Sequence, residues 1–583
     1  MKTEVIRKNT KDFKISPNLE DYDKIRKSFL WNLAAKEVDF VNGKLNAAYN
    51  AIERNSLNWR KNKIALYWIG AEGQKQNYTF AELNQSANQF ANLLHELNIE
   101  QGDRVFFFLS RVPELYFGFL GTLKRGAIAG TMFAAFGPQA IYDRLQNSAA
   151  KVLVTEPPLF DRVEKAAKDL PDLETILVTG EAKDVAHLKI HGKKVLSFDE
   201  FINKQGKDYK TRLMDPDDPA FMLYTSGTTG KPKGVVHVHK AIIHEHMSAK
   251  YVLDLRDDDV YWCTADPGWV TGIAYEILGS WSNGSSTVVF NGRFEPDLWY
   301  KVIEDYKVTV WYTAPTAIRM LAAAGNDIVR KYDLSSLRHL ASVGEPLNPE
   351  PIRWGLKVFG LPFHDNWWQT ETGGILIANY PAMDIKLGSM GKPLPGITAS
   401  IVDDSGKEIP DGQEGHLAIK SGWPSMMKTI WRRREKYESY FKRGWYFSGD
   451  RAYRDKDGYF WFVGRADDVI KTSGERVGPF EVESALVEYG DIVEAGVIGK
   501  PDKLRGEIIK AFVVLKTGIK PSEKLKEDIQ HFVKTHLAAH AYPREIEFVD
   551  KLPKTRSGKI MRRVLRAKEL GLPIGDTSTL EEF

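Results

Sequence analysis

Cysteine is almost absent from this chain, because Cys263 is the only one among 583 residues. An intrachain disulfide is therefore excluded, and a reducing compartment fits this composition. An apolar leader is missing as well, since residues 1–8 are charged and lack the apolar core of a signal peptide. Together these two absences predict a cytoplasmic protein.

A long apolar run and a strong excess of one charge are also missing. The most apolar region, residues 105–136, contains four charged residues, Arg111, Glu114, Lys124 and Arg125. We therefore expect no bilayer-spanning helix and no membrane partner. The formal net charge of +4 is small for this length and predicts no nucleic-acid partner. The proportions of charged and apolar residues, 27% and 43%, are typical of a large globular enzyme.

What is present is a regular alternation of strand-like and helix-like stretches after a polar N-terminal segment that we expect to wrap around the rest. Strand-like runs occur at residues 64–68, 105–109, 152–154, 176–178, 287–290 and 308–311. A helix capped by Thr79 is predicted between the first two runs. This βαβ rhythm predicts parallel sheets covered by helices, with ligands beyond the carboxyl ends of the strands.

The pattern changes twice towards the C-terminus. Turn-rich residues 403–407 and 411–415 enclose short strands, which predicts a small antiparallel, barrel-like part. After Arg465, strands at 497–499, 508–515 and 546–549 alternate with helices near 480–488, 523–538 and 559–569. We therefore expect an α/β protein with a large N-terminal domain, residues 1–466, and a separate α+β C-terminal domain, residues 467–583.

Residues 224–234, with the sequence Tyr-Thr-Ser-Gly-Thr-Thr-Gly-Lys-Pro-Lys-Gly, are the stretch richest in potential anion ligands. Glycines let backbone N–H groups approach an anion, hydroxyls add donors and lysines add charge, so the composition suits a polyphosphate. The stretch is not a Walker loop, because no Ser or Thr follows the lysine. A solvated hairpin turn explains the same composition equally well.

Four further stretches follow it in the chain, at residues 367–373 (WWQTETG), 446–450 (YFSGD), 464–468 (GRADD) and 553–559 (PKTRSGK). In this order the five stretches resemble the motifs of the adenylate-forming superfamily of acyl-CoA synthetases, luciferases and peptide-synthetase adenylation domains. Residues 265–272 (ADPGWVTG) and 343–346 (VGEP) make the likeness most specific to the acetyl-CoA synthetase family. The resemblance implies an ATP-dependent acetate–CoA ligase that uses Mg²⁺ and coenzyme A, passes through acetyl-adenylate, and releases AMP and pyrophosphate.

The resemblance also assigns a nucleotide site. The β- and γ-phosphates would contact Thr225, Ser226, Gly227, Thr228, Thr229 and Lys233. Further phosphate contacts would come from Thr370 and Arg476. The adenine would lie against Gly344, Glu345, Pro346, Asp365, Asn366 and Trp367, next to Trp368 and Gln369. Asp450 would accept the ribose hydroxyls with help from Arg465, a task that needs two acceptor oxygens.

The reacting groups are implied in the same way. Lys559 would bridge the attacking carboxylate and the α-phosphate, although a basic helix face is usually only solvated. Glu371 would bind Mg²⁺, although Thr-Glu-Thr-Gly is also good helix-cap chemistry. Asp467 would be the hinge about which a mobile C-terminal domain turns between two half-reactions.

The substrate pockets follow from the same resemblance. Acetate would be enclosed by Val270, Thr271, Val343 and Trp368, with the Trp368 indole excluding longer acids. An ordinary core tryptophan is the alternative. Coenzyme A would contact Arg162, Lys165, Ser473, Gly474 and Lys534. The chain departs from the family pattern at residues 489–490, which puts an accessory cation site in doubt, and at residues 273–275, beside the acid pocket.

Several alternatives stay open. A propionyl- or medium-chain acyl-CoA synthetase would carry the same motifs, and a nucleotide sensor without turnover would keep the binding residues. A peptide-synthetase adenylation domain is disfavoured, because no carrier domain follows before Phe583. The four residues His237, His239, His244 and His246 suggest zinc only weakly, since the second pair looks helical. A lysine acetyltransferase and a deacetylase acting on Lys559 would be regulatory partners, because acetylation removes its charge.

Overall fold

The computed structural model describes residues 4–9, 13, 15–225, 232–472, 475–538, 540–555, 559–574 and 580. Two large sheets with parallel central strands form the N-terminal part. The order of strands in the first is Thr429–Ile430, Lys233–Val238, Pro219–Thr225, Ile128–Phe133, Arg104–Leu109, Val152–Thr155, Thr175–Val178 and Lys194–Ser197. The order in the second is Lys392–Pro393, Ile377–Ala378, Phe363–Trp367, His339–Ser342, Val310–Thr313, Val260–Cys263, Ser286–Phe290, Ile64–Ile69 and Lys75–Thr79. Their central strands are apolar, because a parallel sheet covered by helices buries both faces.

Helices connect and cover these strands. The α-helices of the N-terminal part are Tyr22–Ser28, Trp31–Ala34, Arg54–Ser56, Phe80–Glu96, Pro113–Arg125, Pro138–Ser148, Phe160–Ala167, Ala182–Val185, Phe198–Asn203, Ala241–Tyr251, Gly279–Ser282, Pro296–Tyr306, Pro315–Ala323, Asn326–Val329, Pro349–Phe359 and Arg434–Glu438. Shorter 3₁₀ and π turns are Ala35–Glu37, Tyr49–Glu53, Trp59–Asn62, Pro157–Leu159, Gly272–Leu278 and Thr370–Thr372. The predicted cap is confirmed, because Thr79 and Glu82 exchange hydrogen bonds with each other's backbone N–H groups.

A curled antiparallel sheet follows the two large ones. Its strands are Ala399–Val402, Gly415–Lys420, Trp445–Arg454 and Phe441–Lys442, with Phe460–Arg465 paired to the third of these. The N-terminal segment contributes to a separate two-stranded sheet, in which strand Val5–Ile6 pairs with strand Ile385–Lys386. The predicted antiparallel part is therefore present where the turn-rich sequence placed it.

The C-terminal part is an α+β domain. Its sheet has the order Glu475–Val477, Ile470–Thr472, Gly506–Leu515 and Ile492–Asp502, with Glu545–Phe548 parallel to the third strand. Its helices are Pro479–Glu488, Glu523–His536 and Arg562–Leu570. The domain contacts the rest of the chain through a hydrogen bond of 2.8 Å from Asn348 Nδ2 to Ser484 Oγ. The predicted fold class is confirmed.

Several predicted element boundaries differ from the structure, and two of them have a clear physical reason. Residue 308 is not in a strand, because Val308 N donates to Ile303 O and so closes the helix Pro296–Tyr306. Residues 559–561 are not helical, because Met561 N donates to Pro553 O and the backbone pairs across a narrow hairpin. Within the described ranges, no helix combines the length and the apolar composition needed to cross a membrane.

Candidate active site

A cavity of about 1170 Å³ lies at the carboxyl ends of the parallel strands. Its wall includes residues at or just beyond the ends of five strands, Phe133, Thr225, Thr264, Thr313 and Val343. In parallel sheets this edge is where side chains of successive strand ends converge on one space. The cavity is large enough for a nucleotide together with a small second substrate.

Most of the predicted site residues line this one cavity. It brings together Thr225, Lys233, Val270, Thr271, Val343, Gly344, Glu345, Pro346, Asp365, Asn366, Trp367, Trp368, Gln369, Thr370, Glu371, Asp450, Arg465 and Lys559. Six other predicted residues, Ser226, Gly227, Thr228, Thr229, Ser473 and Gly474, lie outside the described residues. Arg476 is on the strand Glu475–Val477, and its side chain also lies outside the description.

One end of the cavity holds a buried ion pair. Lys233 Nζ lies 2.5 Å from Glu371 Oε1, and both side chains are nearly buried. Lys233 also donates to the Tyr440 hydroxyl, which lies 3.5 Å from Glu371 Oε1. Burial alone would raise the pKa of Glu371, but the Lys233 ammonium outweighs it and holds this pKa below its ordinary value. Thr225 Oγ1, which is buried in the wall, has no hydrogen-bond partner among the described residues.

The turn that carries Glu371 rests on a buried polar platform. His237 Nε2 lies 2.8 Å from Thr370 O, and His237 Nδ1 lies 3.1 Å from Ser425 O. Ser425 Oγ donates to Thr372 O at 2.7 Å. Gly373 has a φ of +70°, and a Cβ there would lie 2.2 Å from Ser425 O, so only glycine fits. His237 and Ser425 therefore fix the backbone of this turn, while Glu371 lines the cavity.

The cap interpretation of Thr-Glu-Thr-Gly and the ligand interpretation are compatible. Gln369 N donates to Thr372 Oγ1 at 2.9 Å, which caps the 3₁₀ turn Thr370–Thr372. The Glu371 carboxylate takes no part in this cap and pairs with Lys233 instead. Thr372 therefore does the capping, and the carboxylate remains available to the cavity.

The four histidines considered as zinc ligands act as hydrogen-bond partners in the core. His244 Nε2 lies 2.9 Å from Ile375 O, and His244 Nδ1 lies 2.8 Å from Ser425 Oγ. His246 contacts Ser282 and Glu37, while Ala47 N donates to His239 Nδ1. Burial lowers the pKa of His237 and of His244 to about 4. His237 and His244 are therefore neutral near pH 7 and support the neighbouring backbone carbonyls.

Asp450 is on the strand Trp445–Arg454 and also lines the cavity. Its Oδ2 accepts hydrogen bonds from Trp367 Nε1 at 2.9 Å and from Gln369 Nε2 at 3.0 Å. Its Oδ1 is buried without a hydrogen-bond donor in the described part of the chain, and Arg465 Nε lies 3.3 Å away. Burial raises the pKa of Asp450, and Arg465 partly opposes this rise. Oδ1 is thus a buried carboxylate oxygen that lacks a hydrogen-bond donor among the described residues.

Two side chains of the predicted adenine wall, those of Glu345 and Asn366, form hydrogen bonds with neighbouring residues outside it. Glu345 does not offer a free carboxylate, because it accepts from Arg319 Nη2 at 2.8 Å and from Thr316 Oγ1 at 2.7 Å. Asn366 Oδ1 accepts from Tyr312, and Asn366 Nδ2 donates to Ser342 O. These hydrogen bonds fix the Glu345 and Asn366 side chains in the cavity wall.

The predicted acid pocket lies beside this wall. Trp368 Nε1 lies 3.3 Å from the Tyr312 hydroxyl, and its ring packs edge-on against Tyr275 at 5.1 Å. Val270, Thr271 and Val343 are buried around the cavity. Tyr275 accepts from Ile375 N at 2.6 Å, so the tryptophan is locked between two anchored tyrosines. Trp368 lines the cavity and packs against the core at once.

Lys559 enters the cavity from the C-terminal domain. It precedes the helix Arg562–Leu570, and Thr555 N donates to Lys559 O at 2.8 Å across the hairpin. Its side chain keeps contact with solvent because it faces the cavity. Enclosure by protein and then the positive charge of Arg465 lower the pKa of Lys559, while Asp450 opposes them. This lysine therefore shares one space with Asp450 and Glu371.

Asp467 lies in the short turn between the strands Phe460–Arg465 and Ile470–Thr472. The N–H groups of residues 468 and 469 both donate to Arg465 O, at 3.0 and 3.1 Å. The Asp467 carboxylate lies 3.7 Å from Arg465 Nε and is half exposed. This turn connects the antiparallel sheet to the sheet of the C-terminal part.

Three residues predicted to contact coenzyme A do not line the cavity. Arg162 Nη1 donates to Ala134 O at 2.9 Å and to Phe136 O at 3.3 Å. Lys165 is in the last turn of helix Phe160–Ala167, and Lys534 is in the last turn of helix Glu523–His536. The structure does not bring these three together with the other site residues.

Arg319 and Arg111 are among the cavity-lining arginines that the sequence analysis did not assign to the site. Arg319 pairs with Glu345, and Arg111 Nη2 donates to Thr264 O at 2.7 Å. Neither belongs to a recognised motif. Their positions could have indicated them. Arg319 is a lone basic residue in the apolar helix Pro315–Ala323, Arg111 lies in an otherwise apolar region, and arginines are rarely buried unless they are paired.

Comparison with known proteins places the chain in a family. The profile of the AMP-binding enzyme family matches residues 52–431, and that of the AMP-binding enzyme C-terminal domain matches residues 481–559. The chain belongs to the family of AMP-binding enzymes. The predicted resemblance to the adenylate-forming superfamily is confirmed.

Individual relatives agree with this membership. The chain is 57% identical over 569 residues to the acetyl-coenzyme A synthetase of Bacillus subtilis (strain 168), covering 97% of this chain and 98% of that protein. It is 42% identical over 565 residues to the acetyl-coenzyme A synthetase of Methanothrix thermoacetophila, covering 93% and 85%. A solved anthranilate CoA ligase in complex with anthranoyl-AMP matches with a TM-score of 0.84 and 33% identity, covering 92% of this chain and 99% of that one. A solved acyl-CoA synthetase of Brucella canis matches with a TM-score of 0.74 and 34% identity, covering 95% and 99%.

Proposed function

We propose that the chain is an AMP-forming acetate–CoA ligase that converts acetate, ATP and coenzyme A into acetyl-CoA, AMP and pyrophosphate. The observation that carries this proposal is the meeting of Lys559, Asp450 and Glu371 around one cavity whose wall also contains Trp368. The high identity to proteins named acetyl-coenzyme A synthetase supports acetate as the acid. A propionyl- or medium-chain preference has no comparable support.

Adenylation is the first step of the proposed reaction. An acetate oxygen attacks the α-phosphorus of ATP, the bond from that phosphorus to the bridging oxygen breaks, and pyrophosphate leaves with the electron pair. Two anions must approach each other, so the protein's contribution is positioning and positive charge. Lys559 would contact both the acetate and the α-phosphate, Thr370 would contact the α-phosphate, and Asp450 Oδ1 would accept the ribose hydroxyls.

Mg²⁺ fits the end of the cavity beside Lys233. This ion is usually bound through one or two carboxylates together with substrate phosphates. Glu371 offers one carboxylate whose pKa stays below its ordinary value, and no cluster of three or more acidic, histidine or cysteine ligands occurs in the described part of the chain. Phosphate oxygens would therefore complete the ligand set. When bound, the ion neutralises part of the phosphate charge.

Thioester formation is the second step. The thiol of coenzyme A loses its proton and attacks the acetyl carbonyl, and the bond to AMP breaks. Lys559 and the thiol cannot occupy the same position, so we propose that the domains 1–466 and 467–583 change their relative orientation about Asp467. Arg162, Lys165, Ser473, Gly474 and Lys534 remain the proposed contacts of coenzyme A in the orientation that serves this step.

Lys559 is also the proposed point of regulation. Its side chain keeps solvent contact, and acetylation would remove the charge that adenylation needs. A lysine acetyltransferase and a deacetylase are the proposed partners. If deacetylase treatment of acetylated enzyme restores no activity, this regulation is ruled out. We keep the cytoplasm as the proposed location, because the only cysteine is a buried free thiol.

The proposed function is tested by two measurements on the purified chain. Acetate-dependent exchange of labelled pyrophosphate into ATP should occur without coenzyme A, because adenylation precedes the thiol. Addition of coenzyme A should then give acetyl-CoA and AMP in equal amounts. A nucleotide sensor would bind ATP and show neither reaction, and that result would overturn the proposal.

A further inference from the structure

The segment after the edge strand Thr429–Ile430 lies beside the ion pair of Lys233, although no motif marks it. In the antiparallel pairing, Ile430 lies opposite Val235, and Trp431 N donates to Gly234 O at 2.8 Å. The chain therefore runs towards the first residue of the strand Lys233–Val238. Residues 431–440, which we call the basic segment, continue from that point along the cavity.

Tyr440 anchors this segment at the ion pair. Its hydroxyl accepts from Lys233 and lies 3.5 Å from Glu371 Oε1. Its ring stacks on Tyr446 with the centroids 5.7 Å apart, and Phe447 N donates to Tyr440 O at 2.8 Å. The hydroxyl is thus held at the end of the cavity that contains Glu371.

The basic segment adds charge that is not already neutralised. Arg433 and Lys436 both line the cavity, and Lys436 Nζ lies 4.9 Å from the centre of the Tyr440 ring. Within the described ranges, neither Arg433 nor Lys436 forms an ion pair with a carboxylate. Their neighbour Arg434, which does not line the cavity, pairs with Glu438 at 2.7 Å.

Additional positive charge at this end of the cavity would favour binding of a diphosphate. Lys233 and Glu371 cancel each other because they form a close pair. A diphosphate carries several negative charges, and binding it needs positive groups that are not spent on protein carboxylates. Among the described residues around Tyr440, Arg433 and Lys436 are the groups with that property.

We propose that Arg433, Lys436 and Tyr440 form a binding wall for the diphosphate end of ATP and for the pyrophosphate that leaves it. The inference rests on the proposed function, because it takes ATP as the substrate. Arg433 and Lys436 supply the charge, and the Tyr440 hydroxyl supplies a hydrogen bond beside Lys233. The α-phosphate and the nucleoside lie outside this wall.

The test measures binding to the full chain without turnover. Isothermal titration with magnesium pyrophosphate and, separately, with AMP is carried out on the wild type, on Arg433→Gln/Lys436→Gln and on Tyr440→Phe. Arg434→Gln is the control, because it removes one positive charge from the basic segment but not from the cavity wall. AMP affinity also reports whether each variant is folded, since AMP lacks the diphosphate.

The double variant should bind pyrophosphate about tenfold more weakly, as expected for lost charge-assisted hydrogen bonds, with AMP affinity within about twofold. Its pyrophosphate affinity should also depend less on salt, because fewer charges are involved. Unchanged pyrophosphate affinity in the double variant, an equal loss in Arg434→Gln, or no binding of pyrophosphate by the wild type would each overturn the inference. Because these titrations need no acetate, their failure is distinguishable from failure of the proposed ligase activity.

Discussion

Replacing Lys233 by methionine breaks its buried ion pair with Glu371 and so measures what this pair contributes to stability. The two side chains are only 11% and 12% exposed, so the variant would leave a nearly buried carboxylate without its counter-ion. Removing one partner of a buried ion pair lowers the free energy of unfolding by about 3–5 kcal/mol. We expect a loss of about 3 kcal/mol here, because Glu371 lines the cavity, where water can solvate the remaining carboxylate. Removing both charges with Lys233→Met/Glu371→Gln should restore most of this loss, because no uncompensated charge remains.

The pH dependence of stability should change sign in the single variant. In the wild type the pKa of Glu371 is held below its ordinary value of 4.5, so its contribution is present above that value and is lost as pH falls through the lower folded pKa. Without Lys233, burial dominates and raises this pKa. Lys233→Met should therefore become more stable as pH falls from 7 to 5, relative to the wild type.

Urea unfolding at pH 5 and pH 7 measures these effects for the wild type, both single variants and the double variant. The coupling between the two sites should reach about 2–3 kcal/mol at pH 7, which a double-mutant cycle resolves. Acetate-dependent pyrophosphate exchange should be lost in all three variants, because the charges of Lys233 and Glu371 also contribute to the reaction. The double variant should lose this activity although its stability is largely restored. Additive losses of stability, or a Lys233→Met variant as stable as the wild type, would refute the reasoning.

Three further predictions concern single residues. Lys559→Ala should lower acetyl-adenylate formation by about 10²–10³-fold and largely spare thioester formation from supplied acetyl-adenylate, measured as separate half-reactions; equal losses would contradict its role. Trp368→Gly should open the acid pocket and move the highest kcat/KM to acids longer than acetate, where each added methylene in an apolar pocket is worth roughly 1–3 kcal/mol; a variant that still prefers acetate would disprove the pocket. Asp467→Pro, which fixes φ, should slow thioester formation more than adenylation in rapid-quench assays, and unchanged rates for both would remove Asp467 as the hinge.

Much of the fold could be predicted from local sequence patterns. The apolar runs near residues 105–109 and 152–154 became central parallel strands, and the Thr79 cap began the helix Phe80–Glu96. Such patterns work because burial of a strand and capping of a helix depend on neighbouring residues. The start of the helix Arg562–Leu570 was misplaced because the preceding residues pair across a hairpin, which periodicity does not reveal.

The site was predicted through motif resemblance and only in part. The motifs singled out Glu371, Asp450 and Lys559, and all three line one cavity in the structure. They did not indicate that Lys233 neutralises Glu371, that His237 supports Thr370, or that Tyr440 joins the same end. These contacts join residues more than sixty positions apart in the chain. Tertiary packing brings these residues together, so a local sequence pattern cannot predict their contacts.

The acid itself is the central claim, and a comparison of acetate, propionate and butyrate tests it most directly. Release of AMP that depends on coenzyme A is measured for each acid, and kcat/KM is compared under one set of conditions. With Trp368 locked between Tyr275 and Tyr312, acetate should be preferred over propionate by about tenfold or more and over butyrate by a larger factor. Equal or higher kcat/KM for butyrate would contradict an acetate–CoA ligase.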